Sequence, residues 1–227
     1  MKQIKGWWFG TTDKKLKNND GRRIIIGKTH RVSGDIIPCE HGLHLSRRII
    51  DALNYAPGPV IYRVVGSGII VPHGDPVDKF ACSERTYVAG GIDISDTLRS
   101  FSRKCALDAI HLWDAPKIVV RYLKTGDESI RAAASAAASD AARAAWAAWT
   151  AASASAAAYA AWAAASAAYA AWAACDAASD AARAASDAAW AAARAAASDA
   201  ACDAACDAAW AAQNAHLTRM VNKLIQG

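Results

Sequence analysis

Cysteine and histidine crowd one short stretch of this chain, Cys39-x-His41-x-x-His44. Thiolate and imidazole groups at such spacing can hold zinc, but a structural site takes four ligands. The nearest further candidates, His30 and His73, belong to no ligand motif. A strand through this stretch would send Cys39 and His41 to one face and His44 to the other. The pattern therefore reads as a loop-to-strand turn with incidental histidines, and no metal ligand is assigned. Paired-carboxylate, Ser/His/Asp and phosphate-loop signatures are absent. Gly66-Ser67-Gly68 reads as a turn, since a phosphate loop would continue as Gly-Lys-Ser/Thr into a helix. Asp199, Asp203 and Asp207 recur one helical turn apart and read as a solvated edge. No cofactor is implied, and the chemistry on view points away from catalysis.

The elements that would position these residues are short strands and one or two helices. Trp7 to Thr11 reads as a first strand, ended by the polar stretch Thr12 to Gly21, and Arg23-Ile24-Ile25-Ile26 as a second. Ser46 stands where it could cap a short helix from Arg47 to Tyr55, with Ile49, Ile50 and Leu53 on one face. Ala56-Pro57-Gly58-Pro59 stops that helix. Val60 to Val65 and Ile69 to Val71 read as two further strands. A second helix is expected over Asp96 to Trp113, where Leu98, Phe101, Cys105, Ala109 and Leu112 fall at helical spacing. Pro116 ends it, and Ile118-Val119-Val120 is ambiguous. The first 125 residues thus form a small α+β head, long enough for one modest core.

The segments Gly42-Leu43-His44-Leu45-Ser46 and Asp51-Ala52-Leu53-Asn54-Tyr55-Ala56-Pro57-Gly58 resemble a group of phage and bacterial proteins. That group shares a "GLHAS" or "GFHxC" segment, a "DAL-x-YAPG" helix end and often an Ala-rich, Trp-dotted tail. The resemblance covers most of residues 7–130 and implies no established activity. A looser resemblance is to ADP-ribosyltransferases, in which a strand and a following helix line an NAD pocket. It matches Gly42-Leu43-His44-Leu45 to the strand and Asn54-Tyr55 to the helix end. His44 stands where that family has tyrosine, no histidine falls near Trp8-Phe9-Gly10, and Glu84 is the only glutamate between positions 41 and 127. The resemblance makes Gly42, His44, Asn54 and Tyr55 the candidate pocket residues.

Beyond the head, composition changes abruptly. Residues 132–212 hold 51 alanines in 81 positions, and Asp127 to Gln226 contains no glycine or proline. Alanine is the best helix former and both helix breakers are missing. Thr125-Gly126-Asp127-Glu128 has the form of a capping box, which places the helix start there. Bulky residues make a stripe at 139, 143, 146, 150 and 153. The phase slips at Ser153-Ala154-Ser155, which predicts a bend near 150–157. Asp180 with Arg183 and Arg183 with Asp187 are spaced to pair. The expectation is a domain of long helices over 126–227, packed as a hairpin, bundle or coiled coil. Trp146, Trp149, Tyr159, Trp162, Tyr169, Trp172, Trp190 and Trp210 either fill space between helices or offer a partner face. Leu217, Met220, Val221, Leu224 and Ile225 return to an ordinary amphipathic pattern suited to docking on the head or on a second copy.

Charge and cysteine usage bound the partners. Residues 1–130 carry 20 Lys/Arg against 14 Asp/Glu, and residues 131–227 carry 6 against 7. The basic head leaves nucleic acid open, but solvated surface charge is the simpler account. Six cysteines without a CxxC pair, and a start with no apolar leader, read as reduced thiols in a cytoplasm. Residues 144–175 lack charge over 32 positions, yet are too alanine-rich to favour a membrane. The expected function is a non-enzymatic binding protein of phage-accessory or bacterial-immunity type. Its partner would be itself, as a homo-oligomer, or another protein. The alternatives are an ADP-ribosyltransferase-like or degenerate nucleotide-binding relative and, weakest, an ice- or surface-binding helix. The last would need regular threonines, and only Thr150 lies within 131–215.

Overall fold

The computed structural model describes residues 3–17, 20–151, 156–175, 181–194 and 199–226, with only the backbone described at Trp149 and at several residues near helix ends. It is a mixed α+β chain with an antiparallel sheet and, among the described residues, seven α-helices. Contacts divide it into two compact units, Met1–Ser95 with Leu217–Gly227, and Asp96–His216. That division falls well before the change in composition at Thr125.

In the first unit, β1 (Ile4–Gly10), β2 (Thr29–Arg31), β3 (Leu43–Leu45), β4 (Val60–His73) and β5 (Lys79–Asp93) form one sheet. The order is β1-β4-β5-β2, and β3 also pairs with β5. Thus β2 sits opposite Glu84 to Thr86 and β3 opposite Phe80 to Cys82, end to end along one edge of β5. A bridge from Trp7 to Ser46 ties the end of β3 back to β1 and closes the strand path into a ring. Gly6 permits that closure, because a Cβ there would lie 2.4 Å from the Ser46 carbonyl oxygen. Helix α1 (Ile49–Asn54) packs on β1 and buries Ile49, Ile50 and Leu53. The core gathers Tyr62, Tyr87, Val64, Leu45 and Phe80, with Trp8 against it.

Several sequence expectations are corrected here. Arg23 to Ile26 is not a strand. Arg23 makes a lone bridge to Lys15, Ile24 alone turns inward, and Ile25 and Ile26 are exposed in a turn. Gly66 to Gly68 does not end a strand but lies within β4, where the register against β5 slips between Ser67 and Ile70. Val60 to Val65 and Ile69 to Val71 are therefore one strand. The second helix, α2 (Ser95–Asp108), stops early, and a separate 3-10 turn covers Ile110–Leu112.

In the second unit, Ile118-Val119-Val120 belongs to a helix, α3 (Lys117–Thr125), despite its β-branched residues. Val119, Tyr122 and Leu123 bury one helical face, and that spacing overrides local propensity. The proposed capping box is not one. Gly126 is the left-handed C-cap of α3, and Asp127 caps a 3-10 turn, Glu128–Ile130, by accepting from Ser129 N–H. The alanine helix α4 then starts at Arg131 and runs to Ala151. It packs on α5 (Ala156–Cys175), which packs on α6 (Ala181–Arg194). The phase slip at 153–155 lies outside the described residues, as does Asp180.

Helix α7 (Asp199–Gln226) begins in the second unit and ends in the first. Its Gln213 Nε2 donates to the Ala185 carbonyl of α6 at 3.0 Å. Alanine supplies the interior between α5 and α6, with Ala167, Ala168, Ala170, Ala171, Ala184 and Ala189 fully buried. The aromatics of the alanine-rich segment stand further out. Trp146, Tyr159 and Trp190 are exposed, Trp162, Tyr169, Trp172 and Trp210 are half-buried, and the Trp149 side chain lies outside the described residues. Among the described residues no helix is long and apolar enough to cross a membrane.

Candidate ligand cleft in the head

A cleft of about 640 Å³ opens in the first unit, within the size range of small-ligand sites. Its walls come from β1 (Trp7, Trp8), the 39–46 segment, α1 (Ala52, Tyr55) and β5 (Lys79, Arg85). The local folding explains the arrangement. The chain leaves β2, makes a turn in which Ile37 and His41 exchange backbone hydrogen bonds, and returns to the same edge of β5 as β3. Cys39 adopts a left-handed backbone, with φ of 71°, at the tip of that turn. Gly42, with φ of 142°, lets the chain pass close over Ile36 and Ala81, where a Cβ would come within 3.1 and 3.2 Å of their side chains.

Gly42, His44 and Tyr55 line the cleft together. Asn54 does not; it is the exposed last residue of α1. His44 is tightly fixed. Its Nε2 accepts the Cys39 backbone N–H at 3.2 Å, so a neutral ring must carry its proton on Nδ1. Burial pushes the imidazole down to about 4, helped by the positive charges of Lys79 and Arg85 and by His73. His44 is accordingly an uncharged donor at neutral pH.

The residues that sequence reading missed are Lys79 and Arg85, because β5 itself was not foreseen. Both are buried, at 6% and 2% exposure. Arg85 donates through Nε and Nη2 to the Tyr87 hydroxyl at 3.1 and 2.7 Å, and through Nη1 to the His44 carbonyl at 2.5 Å. Its guanidinium lies over the Trp8 ring at 4.1 Å. Lys79 Nζ donates to Cys39 Sγ at 3.2 Å and lies 3.7 Å from the centre of the Tyr55 ring. The Tyr55 hydroxyl donates to Asp78 Oδ2 at 2.6 Å, which first among several causes pushes its ionisation up to about 12. Tyr55 is therefore a fixed, neutral platform.

Cys39 is exposed, and its Sγ lies 3.7 Å from His73 Nε2. His41 turns away and meets the Ser33 carbonyl at 2.9 Å. Cys39, His41 and His44 therefore do not converge, and among the described residues no group of three or more His, Cys, Asp or Glu could hold a metal ion. Glu84 lies outside the cleft, held by Arg31 at 3.0 Å and by the Ser67 hydroxyl at 3.0 Å. The arrangement can bind and orient a ligand through N–H donors and two fixed cations. Its lining carboxylates are Asp20, gripped by Arg22 at 2.6 Å, and the exposed Glu40. Comparison of the chain with protein-family models, with curated proteins and with solved structures found no match.

Proposed function

We propose that the protein is a non-enzymatic recognition protein whose head binds a ligand in the cleft, while its alanine-rich helices pack as a bundle for assembly or partner contact. One observation carries the reading: Lys79 and Arg85 are buried at the cleft wall and, among the described residues, meet no carboxylate within ion-pair distance. A buried charge without a counter-charge is costly, and proteins retain such groups where a ligand completes them. Packing of α4 on α5 and of α5 on α6 supports the bundle, and the exposed Trp146, Tyr159 and Trp190 support a contact face.

The test is a thermal-shift screen of the full chain against a metabolite set, repeated with Arg85→Met. A ligand that raises the melting temperature in the parent but not in the variant, and is recovered unchanged, is the expected result. A ligand consumed at the cleft would overturn the non-enzymatic reading.

A second reading, an ADP-ribosyltransferase-like NAD site, is supported by Gly42, His44 and Tyr55 sharing one cleft. The position of Glu84 outside it counts against transfer chemistry. NAD, included in the same screen, separates the two readings through cleavage at its glycosidic bond.

A further inference from the structure

The aromatic rings of the cleft are already occupied, and by cations. Arg85 covers Trp8, Lys79 covers Tyr55, and Arg63 lies over Trp7 at 4.0 Å. A ring face steadies a positive charge through its quadrupole without cancelling it. The charge of Arg85 and Lys79 therefore persists inside the wall. Of the nearby carboxylates, Asp20 is gripped by Arg22 through two contacts of 2.6 Å, and Asp78 accepts from Tyr55 through Oδ2 while its buried Oδ1 has no hydrogen-bond partner. Glu40 is exposed at the rim.

Donors remain as well as charge. Arg85 engages one N–H on each terminal nitrogen and Lys79 one of its three, which leaves further N–H groups on both. His44, whose carbonyl meets Arg85 and whose Nε2 meets the backbone of Cys39, adds Nδ1–H.

We infer that the cleft is a site for a phosphate monoester, whose dianion supplies the counter-charge to Arg85 and Lys79 beside the imidazole of His44. This rests on the binding reading above and names the ligand class of that site. A monoester carries nearly two negative charges at neutral pH and three acceptor oxygens. A carboxylate or a phosphodiester brings one charge and leaves a buried cation unmatched. Guanidinium and ammonium groups both serve phosphate, the first through its planar fork and the second as a point charge. A cation covers one face of each of Trp7, Trp8 and Tyr55. Recognition centres on the phosphate, and the remaining volume accommodates the rest of the molecule.

The experiment is calorimetric titration of the full chain with inorganic phosphate, AMP, cyclic AMP and adenosine, and with a short oligonucleotide bearing a 5′-phosphate or a 5′-hydroxyl. Phosphate and AMP are expected to bind, adenosine not to bind, and cyclic AMP to bind at least tenfold more weakly than AMP. Lys79→Met and Arg85→Met are each expected to weaken AMP at least tenfold with circular dichroism unchanged. Should Arg85→Met fail to fold, Lys79→Gln carries the test. A 5′-phosphorylated oligonucleotide that binds tenfold tighter than AMP assigns the phosphate to a nucleic-acid end, and one that binds no better assigns it to a small molecule.

Equal binding of AMP and adenosine, or AMP binding indifferent to Lys79→Met, overturns the assignment. So does silence from every phosphate probe. In that last case citrate, or a hit from the metabolite screen lost in Lys79→Met, would show that the cleft still binds a ligand of another class. If no ligand depends on Lys79 or Arg85, the binding reading falls as well.

Discussion

The head and the alanine helices bury their interiors by opposite means. The head relies on a few large side chains: Tyr62, Tyr87, Phe9, Ile49 and Ile61 are almost wholly enclosed. Each such group brings a large apolar area and loses rotamer freedom on burial. The helices rely on many small ones, with Ala163, Ala165, Ala170, Ala173, Ala185 and Ala191 enclosed and the aromatics toward the outside. An alanine brings little area but loses no side-chain entropy and has the strongest helix preference. One region gains its stability from a few concentrated contacts, the other from many small ones spread along helix axes that methyl groups allow to approach closely. A core can be built at either extreme, and each holds its polar exceptions differently: Arg85 lies against the large rings of Trp8 and Tyr87, while Gln213 bonds the backbone of Ala185.

Deleting bulk from the head should give the largest effect. Phe9→Ala is expected to cost about 3–5 kcal/mol, because a fully buried ring leaves a cavity that the sheet cannot close. Urea denaturation measures it, and a loss below about 1 kcal/mol would break the contrast.

Adding bulk to the helices should come next. Ala170→Leu is expected to cost about 1–3 kcal/mol, since a fully buried methyl site has no room for an isobutyl group. Unchanged unfolding would mean that the helices are looser than their enclosure implies.

Acid should act on the two regions in opposite directions. His44 ionises near 4 in the folded head, below its usual 6.5. The unfolded chain therefore takes the proton first, and the head loses stability as pH falls from 6.5 towards 4. Burial raises Asp187 on α6 to about 6 from 3.8, against the pull of Arg183. There the folded state takes the proton first, so the helices gain stability as pH falls from 6 to 3.8. Each effect is on the order of 1–2 kcal/mol once solvent screening is allowed for. Amide hydrogen exchange resolved by region reads both. Asp187→Asn should stabilise the helices at pH 7 and not at pH 4.

The smallest effect belongs to the outer aromatics. Tyr159→Ala is expected to change stability by less than about 0.5 kcal/mol, because Tyr159 is exposed. A larger change in sedimentation behaviour than in stability would mark it as a contact residue.

The alanine helices were legible because a missing residue type is a strong signal: without glycine or proline, little else can form. Helix α1 was legible from Ile49, Ile50 and Leu53. Helix α3 was hidden because Ile118, Val119 and Val120 favour strands, while the burial of Val119, Tyr122 and Leu123 decides the matter through tertiary packing. The missing strand β5 had a concrete cause. Its residues Lys79 to Cys82 are all buried, and the buried positions further on include the charged Arg85, so no apolar alternation survives. A readable cue did exist in Gly74-Asp75-Pro76, a turn signal two residues short of Lys79. Without β5 the two cations of the cleft had no place. His44 and Tyr55 came from a resemblance rather than from spacing, and Asn54 failed because it ends its helix facing outward.

Because β2 and β3 dock one after the other on a single edge of β5, the eleven-residue excursion Val32 to Gly42 begins and ends against the same strand. Its anchors are set by neighbouring stretches of β5, so the sheet does not register its length. Its length could change while strand order remains intact, with Val32, Ile36 and Gly42 held by their packing. The stretch that carries Cys39, Glu40 and His41 to the cleft is thus the part of the head whose length the sheet least constrains.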